Sequence, residues 1–84
     1  MQCIVYILKS LKNPERHYIG ITANLEKRLK EHNDRQSAYS RIYAPWELET
    51  YVVFKNKKLA EGFEKYLKHG SGNAFLRKRL VTAK

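Results

Sequence analysis

Residues 17–33 read HYIGITANLEKRLKEHN, a short strand running into an amphipathic helix. His17 to Thr22 has strand character and carries Gly20 inside it. Glycine weakens a strand and often marks a close approach by another chain or a ligand. Asn24 is a good N-cap, and Leu25 to Asn33 follows as a helix of two to three turns. Leu25, Leu29 and His32 fall at i, i+4 and i+7, so they form the inward stripe, with Arg28 on or beside it. Lys27, Lys30 and Glu31 are assigned to other faces. A strand feeding directly into such a helix predicts a sheet with helices packed on it.

Upstream, Gln2 to Lys9 reads QCIVYILK. Both of its alternating sets are apolar, which predicts a central strand covered on two sides. Ser10 to Glu15, with Asn13-Pro14, is a turn, so the first two strands form a hairpin. Pairing Tyr6 near Gly20 would place Tyr6 and Tyr18 on one face. Downstream, Asp34 to Ala44 is a polar loop mixing Arg35, Tyr39, Arg41 and Tyr43, a composition suited to sugar, phosphate and base contacts. After Pro45-Trp46 a third strand is expected over Glu47 to Phe54. Leu48, Val52 and Phe54 are read on one face, Tyr51 and Val53 on the other. Lys57 to Lys68 has a helical stripe of Leu59, Ala60, Phe63, Tyr66 and Leu67, with Glu64 at its edge. Gly70-Ser71-Gly72 is read as its stop, and Asn73 as the cap of a last helix, Ala74 to Leu80, exposing Arg77, Lys78 and Arg79. The expected fold is α+β in the order ββαβαα: a three-stranded, mostly antiparallel sheet packed with helices, one domain over residues 1–84.

The 84 residues carry a net charge of +9. Such an excess opposes compaction and suggests a polyanionic partner, nucleic acid first and a membrane surface second. No apolar run approaches the roughly 20 residues that span a bilayer, and no signal peptide is read at the start. Cys3 is the only cysteine. Internal disulfides are therefore excluded, Cys3 is assigned to the core, and a reducing, cytoplasmic setting is expected. His17, His32 and His69 lack zinc-ligand spacing.

Six polar residues carry the candidate chemistry, and each also has a plainer reading. Tyr6 and Tyr18 are either sheet tyrosines or a general base toward water. Arg28 is a surface arginine or a two-pronged phosphate clamp. His32 is a packing histidine or a proton relay. Glu64 is an i,i+4 partner for Lys68, or a single carboxylate for hydrated Mg²⁺, which typically takes one or two carboxylates plus substrate phosphate. Asn73 is a helix cap, or a contact to phosphate or metal-bound water.

Taken in order, these residues resemble the GIY-YIG nuclease superfamily, and the match runs from Val5-Tyr6-Ile7 to the last helix. Tyr18-Ile19-Gly20 is the second half of the signature. Ile4-Val5-Tyr6 stands where Gly-Ile-Tyr is usual, so the tyrosine is kept and the glycine is not. Arg28 in Arg-Leu-Lys-Glu-His fits the helical arginine, His32 the following histidine or tyrosine, and Glu64 in Phe-Glu-Lys-Tyr-Leu-Lys the metal-binding glutamate. Asn73 stands near the late asparagine of the family. The chain is similar to its short single-domain members.

The resemblance implies hydrolysis of DNA phosphodiesters, duplex or structured, with one divalent metal, Mg²⁺ or Mn²⁺, at Glu64. It implies Tyr6 or Tyr18 as base, Arg28 on the phosphate, and His32 supporting a tyrosine or the phosphate. Nucleic-acid contacts are assigned to Gly20, Arg35, Arg41, Lys68, Arg77 and Lys78. A non-catalytic nucleic-acid-binding module with the same fold is the alternative. A homodimer is left open, and no membrane partner is expected.

Overall fold

The computed structural model describes residues 3–34 and 42–81. Its elements are β1 (Cys3–Ser10), β2 (His17–Thr22), α1 (Leu25–Asn33), β3 (Trp46–Phe54), α2 (Lys57–Lys68), α3 (Gly70–Phe75) and a π-helical turn (Leu76–Leu80). The sheet order is β2-β1-β3, and both pairings are antiparallel. Among the described residues no helix is long and apolar enough to cross a membrane.

The doubly apolar β1 lies at the centre, and Val5, Tyr6, Ile7 and Leu8 are all buried. Its two faces feed separate cores. Val5 and Ile7 pack with Ala60 and Leu67 of α2 and with Leu76, joined by Ile19, Ile21, Phe54 and Phe63. Tyr6 and Leu8 pack with Ala44 and Trp46, joined by Tyr18, Leu25, Leu29 and Leu48. Helices thus cover the sheet on both sides, with α1 on the tyrosine face.

Asn24 caps α1, its side chain accepting from the Lys27 N–H at 3.1 Å. The far end of α1 is fastened by Asn33. Its carboxamide accepts from the Trp46 N–H at 2.5 Å and donates to the Trp46 carbonyl at 3.1 Å. One side chain here does what a neighbouring strand residue would do. This fixes α1, and His32 with it, against the start of β3.

Three local expectations are corrected. Leu48 does not share a face with Val52 and Phe54. The register slips between Ile7 and Leu8, which pair with Thr50 and Leu48, so Glu49 is an extra residue that reverses the alternation. Thr50 accordingly turns to the helical side, where its hydroxyl donates to the Leu80 carbonyl. α2 ends at Lys68 as read, but the last helical segment begins at Gly70 and not at Ala74, so Gly70-Ser71-Gly72 forms the first turn of α3, with Gly70 at φ 49°. Asn73 lies inside α3, not at a cap. It donates to the Leu67 carbonyl at 3.3 Å and accepts from Arg77 Nε at 3.2 Å, tying α2 to the terminal turn.

Gly20 pairs with Tyr6, and the Tyr6 ring lies across it so closely that an added Cβ would overlap the phenol oxygen. Gly20→Ala must displace a buried ring in a packed core. It is expected to cost about 1–3 kcal/mol, read as a lower urea midpoint at unchanged slope; an unaltered midpoint would show that the ring yields freely.

Candidate active site

The tyrosine face gathers four of the six candidate residues. Tyr6, 1 % exposed, projects from the centre of the sheet, and His32, 6 % exposed, comes down from α1. Their polar atoms meet, with the Tyr6 hydroxyl 3.1 Å from His32 Nε2 in a buried hydrogen bond. Tyr18 flanks the pair. Its ring centroid is 4.4 Å from that of His32 and 6.3 Å from that of Tyr6. Trp46 closes the cluster edge-on, 6.2 Å from Tyr18 and 6.5 Å from His32.

Arg28 sits one turn before His32 at the rim, its side chain 47 % exposed. Its Nη1 is 3.3 Å from Glu31 Oε1, an exposed pair off the inward stripe of the helix that the helical pattern alone does not announce. The i,i+3 spacing was the available signal. Arg28 and Glu31 line a cleft of about 260 Å³ with Thr22, Asn24 and Lys27.

Burial pushes the Tyr6 phenol up to about 12, and the neighbouring Tyr18 adds to this. The charge and hydrogen bonding of Arg28 pull the other way. Burial lowers the His32 pKa below its usual 6.5, and the Arg28 charge lowers it further while Glu31 opposes. His32 is therefore neutral at pH 7. In the tautomer that leaves Nε2 unprotonated, the Tyr6 O–H donates to it. The arrangement can move a proton from a phenol to an imidazole beneath a guanidinium.

Glu64 and Asn73 lie on the opposite side of the sheet, on α2 and α3. Glu64 is 16 % exposed, and its Oε2 lies 2.5 Å from Lys68 Nζ. Lys68 and Asn73 line a cleft of about 360 Å³ with His17, Tyr18 and Ile19. The edge strand β2 thus has one group of candidate residues on each side, and Tyr18 belongs to both. Arg77 adjoins this cleft through its bond to Asn73, while Lys78 lines a separate, more apolar groove with Phe75 and Arg79. Gly20 is buried beneath Tyr6. Arg35 and Arg41 lie outside the described residues.

Among the described residues no three His, Cys, Asp or Glu side chains group as a metal cage. The donor set still fits a hydrated Mg²⁺, which needs only one or two carboxylates besides water and substrate oxygens. Trp46, Glu31 and His17 were not read from the sequence as parts of the site. For Trp46 the signal was an aromatic at a strand start.

A family model described as the GIY-YIG catalytic domain matches residues 2–78. A UPF0213 protein of Clostridium perfringens is 41 % identical over 81 residues, covering 95 % of this chain and 83 % of that protein. The structure-specific endonuclease subunit SLX1 of Debaryomyces hansenii is 38 % identical over 72 residues, or 77 % of this chain. Those residues span only 21 % of SLX1. The solution NMR structure of a UPF0213 protein from Bacillus halodurans superposes with a TM-score of 0.54 at 29 % identity, covering 88 % of this chain and 78 % of that one.

The lowered His32 pKa has a consequence for stability. Between the folded pKa and about 6.5, the unfolded chain binds a proton at this site that the folded chain does not. The contribution of His32 is therefore complete above 6.5 and is lost as pH falls through its folded value. The melting temperature should drop on acidification from pH 7 to 5, and the drop should shrink in His32→Gln. Equal slopes in both proteins would place the acid sensitivity elsewhere, with His17, whose pKa is also lowered, as the next group to test.

Proposed function

This chain belongs to the GIY-YIG nuclease superfamily, and from that premise we propose that it is a metal-dependent endonuclease acting on DNA, duplex or structured. The observation that carries the proposal is the buried Tyr6–His32 hydrogen bond with Arg28 at its rim. The similarity to the SLX1 subunit supports nucleic acid as the substrate, as does a net charge of +9.

The chemistry follows from the groups in place. A phosphodiester that enters beside Arg28 meets a guanidinium with two donors for its non-bridging oxygens. An attacking water needs a proton acceptor. Tyr6 supplies a hydroxyl already bonded to His32 Nε2, so a proton taken from water by the phenol oxygen can be matched by one passed to the imidazole. Tyr18, half-buried beside the same ring, is the second tyrosine able to serve as base, since it also lines the open cleft along β2. Arg28 opposes the charge that grows on phosphorus oxygens as water adds. Burial keeps His32 neutral and ready to accept.

Glu64 is the carboxylate that would hold Mg²⁺ or Mn²⁺. When bound, the ion supplies charge stabilisation at the phosphoryl group and the departing oxygen. Lys68 pairs with Glu64 and would share the carboxylate with such an ion. Asn73 keeps α2 and the terminal turn in register beside it.

The Glu64–Lys68 ion pair favours a second reading, in which the lysine replaces the metal and the domain binds nucleic acid without cutting it. The two readings separate in a nicking assay on supercoiled DNA with added Mg²⁺ or Mn²⁺. Under the nuclease reading Arg28→Ala lowers the rate by on the order of 10²–10³. Glu64→Ala abolishes metal-dependent cleavage while retaining salt-sensitive binding. Cleavage unchanged in both variants would refute the assignment, and tight binding with no cleavage by the unmodified protein would leave the second reading standing.

A further inference from the structure

The row of cross-strand partners through the site is Gly20–Tyr6–Tyr51. Direct partners in an antiparallel sheet project to the same face about 5 Å apart. Tyr51 therefore emerges beside Tyr6, on the face that holds His32 and Arg28. Tyr6 leans toward Gly20 and covers it, and so turns away from β3. Tyr51 stays 54 % exposed, and Val53, two residues on, 44 %. Val53 pairs with Ile4, so an apolar shelf continues from Tyr51 toward that end of the sheet. On the other side of Tyr6 the same face is closed by Leu8, Trp46, Leu25 and Leu29. The tyrosine face thus has a covered end and an open end, and the Tyr6–His32–Arg28 group stands at the boundary.

We propose that Tyr51 is a stacking platform for an unpaired base of the substrate, next to the phosphodiester held at Arg28. The proposal rests on the nuclease reading above and adds a substrate class to it. A phosphate beside Arg28 would direct an adjoining nucleotide toward the open end of this face, where Tyr51 offers an exposed ring. Base–aromatic stacking is sequence-tolerant, because every base offers a π-face. A base within a regular duplex keeps both faces against its neighbours and cannot use the platform. Selection would therefore fall on nucleic acid with an unpaired nucleotide beside the cut, whatever its sequence. Val53 and Ile4 extend the shelf for the sugar or the next base. The exposed Tyr51 has little to contribute to the core, so its removal leaves the fold standing.

The probe is a DNA hairpin with a single-stranded tail whose first unpaired base is 2-aminopurine, compared with a fully paired hairpin, in chelator for binding and in Mg²⁺ for cleavage. The unmodified protein and Tyr51→Trp are expected to quench the 2-aminopurine on binding and to prefer the tailed hairpin. Tyr51→Ala should lose the quench and bind the tailed hairpin roughly ten-fold less tightly, with affinity for the paired hairpin within two-fold and an unchanged melting temperature. Equal quenching and preference in Tyr51→Ala would overturn the platform while leaving the nuclease reading intact. An equal loss on both hairpins with a lowered melting temperature would also overturn it, by making Tyr51 a fold residue. If the unmodified protein neither binds nor cuts either hairpin, the nuclease reading itself falls. Arg28→Ala, weakened on both hairpins alike, is the control for phosphate binding.

Discussion

The contact between the Tyr6 ring and the bare Cα of Gly20 sets the geometry of everything around it. Because residue 20 has no side chain, the phenol can lie flat over the edge strand and remain buried. From there its hydroxyl meets His32 on α1, a helix held in place by Leu25, Leu29 and the Asn33–Trp46 bonds. Arg28 then follows one turn away at the rim. The same lean leaves Tyr51 uncovered on the far side of β1. A single missing methyl group therefore positions the hydrogen bond and the open shelf.

Burial and charge act together on this pair. A phenol with its pKa raised to about 12 is a strong base once ionised but is rarely ionised alone at neutral pH. A neutral imidazole on its hydroxyl gives the phenol proton a place to go at the moment the phenol oxygen takes one from water. Arg28 contributes to both sides: its charge favours the phenolate and disfavours the imidazolium. The cost is a buried polar pair, which is tolerated because each member satisfies the other. Asn33 holds the end of α1 and keeps this match from drifting, through its two bonds to Trp46.

Much of this was legible in the sequence. The doubly apolar β1, the Asn24 cap and the stripe of Leu25, Leu29 and His32 yield the hairpin, the helix and the placement of His32, because each is a local pattern with a strong physical cause. The ordered set of Tyr6, Tyr18, Arg28, His32 and Glu64 pointed to the family to which the chain belongs. What escaped was non-local or broke a period. The bulge at Glu49 reverses the alternation of β3, and nothing within the strand announces an extra residue. Asn73 looks like a cap, but Gly70, at positive φ, starts α3 four residues before the expected Ala74. Helical phase places Glu31 off the inward stripe, and only its i,i+3 spacing from Arg28 hints at the ion pair they form. Lys68 and Asn73 come to line one cleft with Tyr18 only through tertiary packing.

The claim that the Tyr6–His32 pair handles the proton is tested most directly by the pH profile of single-turnover cleavage, in the unmodified protein and in His32→Gln. The rate should rise with pH along a limb whose midpoint lies below 6.5, as His32 loses its proton, and level off near neutrality. In His32→Gln that limb should disappear and the neutral plateau should fall, with DNA affinity retained. An identical rising limb in both proteins, or an unaltered plateau in the variant, would contradict it.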